Sequence, residues 1–153
     1  MQVLLLFLGL IFNTPDCIDM KSVRTEYHKI KTEEQLQHFI DMAKKINCDE
    51  AQPYLASAIL QKAQYCILPT SKLKYFQNGK KHLEAFIQQN PSSIEGRYVR
   101  VLVQSELPAI LGYSDDMVSD SMYIKNHIES SGLPESYQKL ILKNVTQATN
   151  NIN

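Results

Sequence analysis

Residues 91–120 read P-S-S-I-E-G-R-Y-V-R-V-L-V-Q-S-E-L-P-A-I-L-G-Y-S-D-D-M-V-S-D. Ser92 followed three residues later by Glu95 has the form of a capping box, so a helix is expected to start at Ser93, directly after the rigid Asn90-Pro91 step. On a 3.6-residue period Ile94, Tyr98, Val101 and Leu102 form one stripe, and Gly96, Val99 and Val103 form a second beside it. Only Arg97, Arg100 and Gln104 fall on the remaining side. A helix apolar over that much of its circumference belongs between neighbours, so this one is the expected centre of the fold.

Pro108 has no amide donor and its ring clashes with a preceding helical turn, so the helix should stop before it. The connection that follows is as apolar as a core segment, with Leu107, Ile110, Leu111 and Tyr113. Because buried loops leave backbone polar groups without partners, Pro108–Leu111 is expected to form a single helical turn packed in the core, closed by Gly112 at positive φ. If the turn is exposed instead, Leu107, Ile110, Leu111 and Tyr113 become the partner surface. Ser114 should cap the next helix, with Asp115 and Asp116 in its first turn, where carboxylates suit the helix dipole.

The same residues carry a resemblance. E-x-R-x-x-R on a helix, then L-P-x-x-L-G-Y, then an acidic helix start, all preceded by Y-F-x-x-G-x-x-x-L-E and N-P, resembles an uncharacterised family of small exported, tetratricopeptide-like helical proteins of Gram-negative bacteria. The resemblance spans about residues 73–128. It implies a helical fold and an export route, and it carries over no catalytic residue.

Outward from this stretch, the pattern stays helical. Thr32 opens T-E-E-Q, a second capping-box pattern, followed by Leu36, Phe39, Ile40, Ala43 and Ile46 on one face. Asp49 should cap a helix with Pro53 in its first turn and Ala51, Leu55, Ala58 and Ile59 inward. The next helix, capped by Thr70 or Ser71, presents Phe76, Gly79, Leu83, Phe86 and Ile87. Gly79 costs about 1 kcal/mol in a helix interior, which a close helix crossing would offset. A last helix opens at Pro134 with Tyr137, Leu140, Ile141, Val145 and Ala148 on one stripe. The expected class is all-α: about six antiparallel helices in a degenerate repeat-like bundle.

Val3 to Phe12 is an unbroken apolar run, as long as a signal-peptide core and too short to span a bilayer. Residues 1–17 therefore read as a signal peptide, 18–31 as a linker or arm, and 32–150 as one helical domain. The implied location is secreted, or periplasmic within the cell envelope, with no transmembrane helix. Asp16 stands where a lipoprotein signal needs a small residue before its cysteine, which leaves Cys17 as a lipid or disulfide partner. Cys48 and Cys66, near opposite ends of one expected helix, would lie about 25 Å apart, beyond the roughly 4 to 7 Å between Cα atoms that a disulfide tolerates. Cys66 then reads as a small buried residue.

Sixteen basic and sixteen acidic residues cancel, which argues against a nucleic-acid partner. The four histidines form no metal-ligand pair, no nucleophile motif or phosphate loop occurs, and Ser114–Asp120 lacks the glycine and glutamate of a calcium loop. No cofactor, metal or catalytic residue is expected. The densest polar group is Glu95, Arg97 and Arg100 with Asp115, Asp116 and Asp120, read as an inter-helix ion-pair network or alternatively as an anion pocket. The functional expectation is an exported, non-catalytic module that binds a protein or peptide. The alternatives are a structural envelope protein without a discrete ligand, and an anion-binding or enzymatic use of the arginine cluster.

Overall fold

The computed structural model describes Cys17 and residues 20–150. The apolar run at 3–12 and the signal-peptide reading of 1–17 lie outside these apart from Cys17. The described residues form seven α-helices joined by short connections and no strand: α1 (Met20–Tyr27), α2 (Glu33–Ala43), α3 (Gln52–Gln61), α4 (Pro69–Gln89), α5 (Ile94–Glu106), α6 (Met117–His127) and α7 (Glu135–Asn150). No helix among them is long and apolar enough to cross a membrane.

Helix α5 is central because nearly its whole circumference is covered: α3, α4, α6 and α7 all pack on it. Even Glu95, Arg100 and Gln104 are buried. Its cap differs from the expected box by one residue. Ser93 is the N-cap, and its hydroxyl accepts from the Gly96 amide at 3.0 Å, so Glu95 is released from capping and is free to pair elsewhere. At α2 the box forms in a shifted version. Thr32 accepts from Gln35 N, while the Gln35 side chain accepts from Lys31 N at 2.8 Å.

Several starts move because proline and short 3-10 turns fix them. Pro69 occupies the first turn of α4, so Leu68 is the N-cap in place of Thr70 or Ser71. Asp49 opens a 3-10 turn before α3, which then buries Tyr54, Ala56 and Ser57 in addition to Ala58, leaving Leu55 and Ile59 half-buried. Asp115 and Asp116 precede α6 as a turn, and the Ser114 carbonyl accepts from Met117 N at 3.3 Å where a side-chain cap was expected.

Two regions expected from sequence are corrected. The stretch 18–31, expected as a linker or arm, contains α1, whose Met20, Val23 and Tyr27 enter the core at helical spacing. The apolar turn is a 3-10 turn over Ala109–Leu111 that ends at Gly112 with φ 57, but it is not core: Ile110 is 93% exposed and Leu111 38%. Pro108 and Gly112 bracket the turn and swing it off the end of α5, and only Tyr113 folds back into the core.

Helices α3 and α4 cross at Gly79. A Cβ there would stand 2.6 Å from both the Ala56 carbonyl oxygen and Leu60 Cβ, and 2.8 Å from Leu60 N. Two of those three atoms are backbone and cannot rotate away. Gly79→Ala is therefore expected to destabilise by about 1 to 3 kcal/mol through overpacking, despite the better helix propensity of alanine, and the denaturation midpoint measures it.

Candidate functional site

The group proposed from sequence divides in two. Arg97 and Arg100 converge on Asp120, which is fully buried on α6. Arg100 Nε donates to Asp120 Oδ2 at 2.7 Å and its Nη2 to Oδ1 at 2.9 Å, while Arg97 Nη1 reaches Oδ1 at 2.6 Å. Arg100 Nη1 also pairs with Glu84 at 2.8 Å and Asp116 at 3.4 Å. The other Arg97 nitrogens donate to the Pro91 carbonyl, and its guanidinium lies 4.1 Å from the Tyr123 ring centre. Burial lowers the Arg100 pKa, but the bond and charge of Asp120 with the charges of Glu84 and Asp116 outweigh it, and the net shift is upward. Tyr113 donates to Glu84 and has the Lys80 ammonium 4.3 Å from its ring.

Every nitrogen of both guanidinium heads thus already faces a protein oxygen. Asp115 is exposed and makes no ion pair among the described residues. Buried Gln104 sits beside the cluster with its amide nitrogen 3.4 Å from Asp116 and its Oε1 without a partner.

Glu95 belongs to a different network. Arg24 of α1 holds it bidentately, with both N···O distances 2.8 Å, and the Tyr54 hydroxyl donates to Oε1 at 2.7 Å. Since Tyr54 spends its only proton on Glu95, Tyr137 must donate to the Tyr54 oxygen across 2.6 Å. At the other end Asn144 Nδ2 donates to the Tyr98 oxygen at 2.6 Å, and the Tyr98 and Tyr137 hydroxyls lie 3.3 and 3.5 Å from His28 Nε2. Burial pushes the Tyr54, Tyr98 and Tyr137 hydroxyls up and His28 down.

The sign of the His28 effect is fixed by that downward shift. As pH falls through the ordinary value of 6.5, the unfolded chain takes up a proton before the folded one does. Stability contributed by neutral His28 is complete above that value and is lost between it and the lower folded pKa. Melting temperature is expected to fall from pH 7 to pH 5 more steeply in wild type than in His28→Gln, and a pH series of melts measures the difference.

His28 and Asn144 also line a cavity of about 460 Å³. Its remaining wall includes Lys31, Gln61, Ser105 and Glu106. Burial raises the Glu106 carboxyl. A second hollow, about 310 Å³, lies between α3 and α4 against Leu55, Ile59, Phe86 and His82.

Cys17 and Cys48 form a disulfide that ties the chain before α1 to the segment before α3, and Cys66 is free and half-buried. Cys48 and Cys66 do not pair. Glu50 brings a carboxylate oxygen to within 4.8 Å of both bridged sulfurs, but a cystine offers no thiolate to a metal.

Sequence reasoning missed Arg24, His28 and the three tyrosines as a group. Met20, Val23 and Tyr27 at i, i+3 and i+7 were the available signal for α1, which supplies Arg24 and is followed directly by His28. No protein-family model, curated protein or solved structure matches this chain.

Proposed function

We propose that the protein is an exported, non-catalytic helical module that binds a protein or peptide partner through one end of its bundle. The observation that carries this reading is the exposure of two large apolar side chains there, Ile67 and Ile110, each 93% accessible. Ile67 and Leu68 precede α4, and Leu73 is exposed on its first turns. Phe76, one turn further, stands edge-on to Tyr113 with ring centres 6.2 Å apart, so the α4 start and the 109–111 turn lie at the same end. Ile110 and Leu111 are exposed on that turn, Leu107 is half-buried and Tyr113 is buried. A cluster of large apolar side chains left in water is the usual mark of an interaction site.

Export is supported by the Cys17–Cys48 bridge, because disulfides persist in oxidising compartments, together with the apolar run at 3–12. The implied location is the periplasm, the cell envelope or the exterior. The resemblance to small exported, tetratricopeptide-like proteins agrees with that route.

Affinity capture from the envelope fraction tests the reading with three baits: wild type, Ile67→Asp/Ile110→Asp, and Val118→Asp as a control on exposed α6 surface. The expected result is a protein retained by wild type and the control and lost by the double variant, with binding reproduced from purified components. Identical capture by all three baits would overturn the proposal.

A further inference from the structure

From Ala51 to Leu83 the chain carries five lysines, Lys62, Lys72, Lys74, Lys80 and Lys81, and no aspartate or glutamate. The whole chain has no net charge, so this stretch concentrates positive charge on one part of a balanced molecule. The same stretch holds the exposed aliphatic side chains Ile67 at 93%, Leu68 at 62% and Leu73 at 50%. Apolar and basic groups interleave at the start of α4, where the Lys72 amide donates to the Leu68 carbonyl at 3.1 Å and Leu73 stands between Lys72 and Lys74. Two helical turns separate Leu73 from Lys80 and Lys74 from Lys81, so the charge continues along the stripes that begin beside the apolar residues. Lys72, Lys74 and Lys81 are exposed and make no ion pair among the described residues. Lys62 and Lys80 lie 5.6 Å from the Tyr75 ring centre and 4.3 Å from that of Tyr113, contacts that leave their charge in place. No side chain caps α4 and its first turn holds no acid, so its N-terminal dipole adds to the same sign. Of the carboxylates around this face, Glu84 is engaged by Arg100 and Tyr113, and Glu106 shares a cavity wall with Tyr65 and with Lys31.

We propose that this end of the bundle takes an acidic amphipathic segment of a protein partner, one whose apolar side chains are flanked by aspartate or glutamate. The proposal rests on the reading of Ile67 and Ile110 as a partner surface and adds to it the sign of the partner's charge. Ile67, Leu68 and Leu73 cover the apolar side chains of the segment. Lys72, Lys74 and Lys81 face its carboxylates, steer its approach and reject basic segments through like-charge repulsion. A segment that lies in a bilayer surface presents a whole apolar helix face to the lipid. Here the apolar face of α4, with Leu83, Phe86 and Ile87, is buried in the core, and only the short aliphatic group at its start is left for a partner. That favours a protein segment over a lipid surface.

Selection from a library of random linear peptides tests it, using the whole protein with its disulfide intact in three forms: wild type, Lys72→Glu/Lys74→Glu/Lys81→Glu, and Ile67→Asp/Ile110→Asp. Peptides recovered by wild type are expected to be enriched in aspartate and glutamate beside apolar residues. A purified peptide from that set should bind the lysine variant about tenfold more weakly or worse at an unchanged melting temperature, and should lose affinity for wild type as salt is raised. Lys72→Gln/Lys74→Gln/Lys81→Gln should weaken binding by a smaller factor, and the triple glutamate form should itself select lysine and arginine. Peptides that require Ile67 and Ile110 but show no acidic enrichment would overturn this inference and leave the partner surface standing. If wild type recovers no peptide that the Ile67→Asp/Ile110→Asp form loses, both readings fall. Stronger retention on vesicles of equal parts phosphatidylglycerol and phosphatidylcholine than on any recovered peptide, abolished in the lysine variant, would assign the charge to a lipid surface and overturn the proposal.

Discussion

Asp120→Ala is expected to destabilise the protein by about 3 to 5 kcal/mol, the range for breaking a buried ion pair and leaving its partner charged. Asp120 is fully buried and accepts from two arginines at once, three bonds in all. Removing it strands the Arg100 guanidinium, whose side chain is 8% exposed, with Glu84 and Asp116 as its remaining partners. Arg97 lies nearer solvent and can rehydrate, so most of the loss belongs to Arg100. A double-mutant cycle of Arg100→Ala with Asp120→Ala separates the pair from its surroundings. Coupling above about 1 kcal/mol is expected, read from denaturant midpoints, and Arg97→Ala should couple more weakly with Asp120→Ala. Additive single effects would show that α5 and α6 are held together by their apolar contacts alone.

The parts of this arrangement that sequence exposed are those that local rules govern. Arg97 and Arg100 lie on the non-apolar side of α5, and the short connection to α6 brings Asp120 alongside. Gly79 announced a close crossing because a helix-interior glycine is costly unless it admits a neighbour, and Ala56 and Leu60 are that neighbour. What stayed hidden depends on contacts far apart in the chain. Glu95 looks like a capping residue or a partner for Arg97, yet its partner Arg24 lies 71 residues away on a helix of 8 residues, whose polar flanks hide the three apolar residues that bury it. The turn around Leu111 failed for a different reason. Burial of apolar residues is a tendency of cores and says nothing about which apolar residues remain outside, and here Pro108 and Gly112 set the direction of the turn.

Reduction of the Cys17–Cys48 bridge is expected to lower stability by about 4 kcal/mol on the loop-entropy relation, given a separation of 31 residues. The bridge closes a loop that contains α1 and α2, joined to the body at both ends. In the unfolded chain it forbids most separations of its two ends, so cutting it restores entropy to the unfolded state and leaves the folded contacts in place. Those contacts include the Arg24 to Glu95 pair and the buried Met20, Val23 and Tyr27, which should keep α1 docked in the reduced protein. The expected outcome is a large drop in melting temperature on adding a reductant, matched by Cys17→Ser/Cys48→Ser, with helical circular dichroism retained at 25 °C. Cys66→Ser should leave the melting temperature of the oxidised protein near wild type, because that thiol is free and only half-buried. If reduction instead leaves the melting temperature unchanged, closing this loop does not stabilise the protein and the loop-entropy account fails.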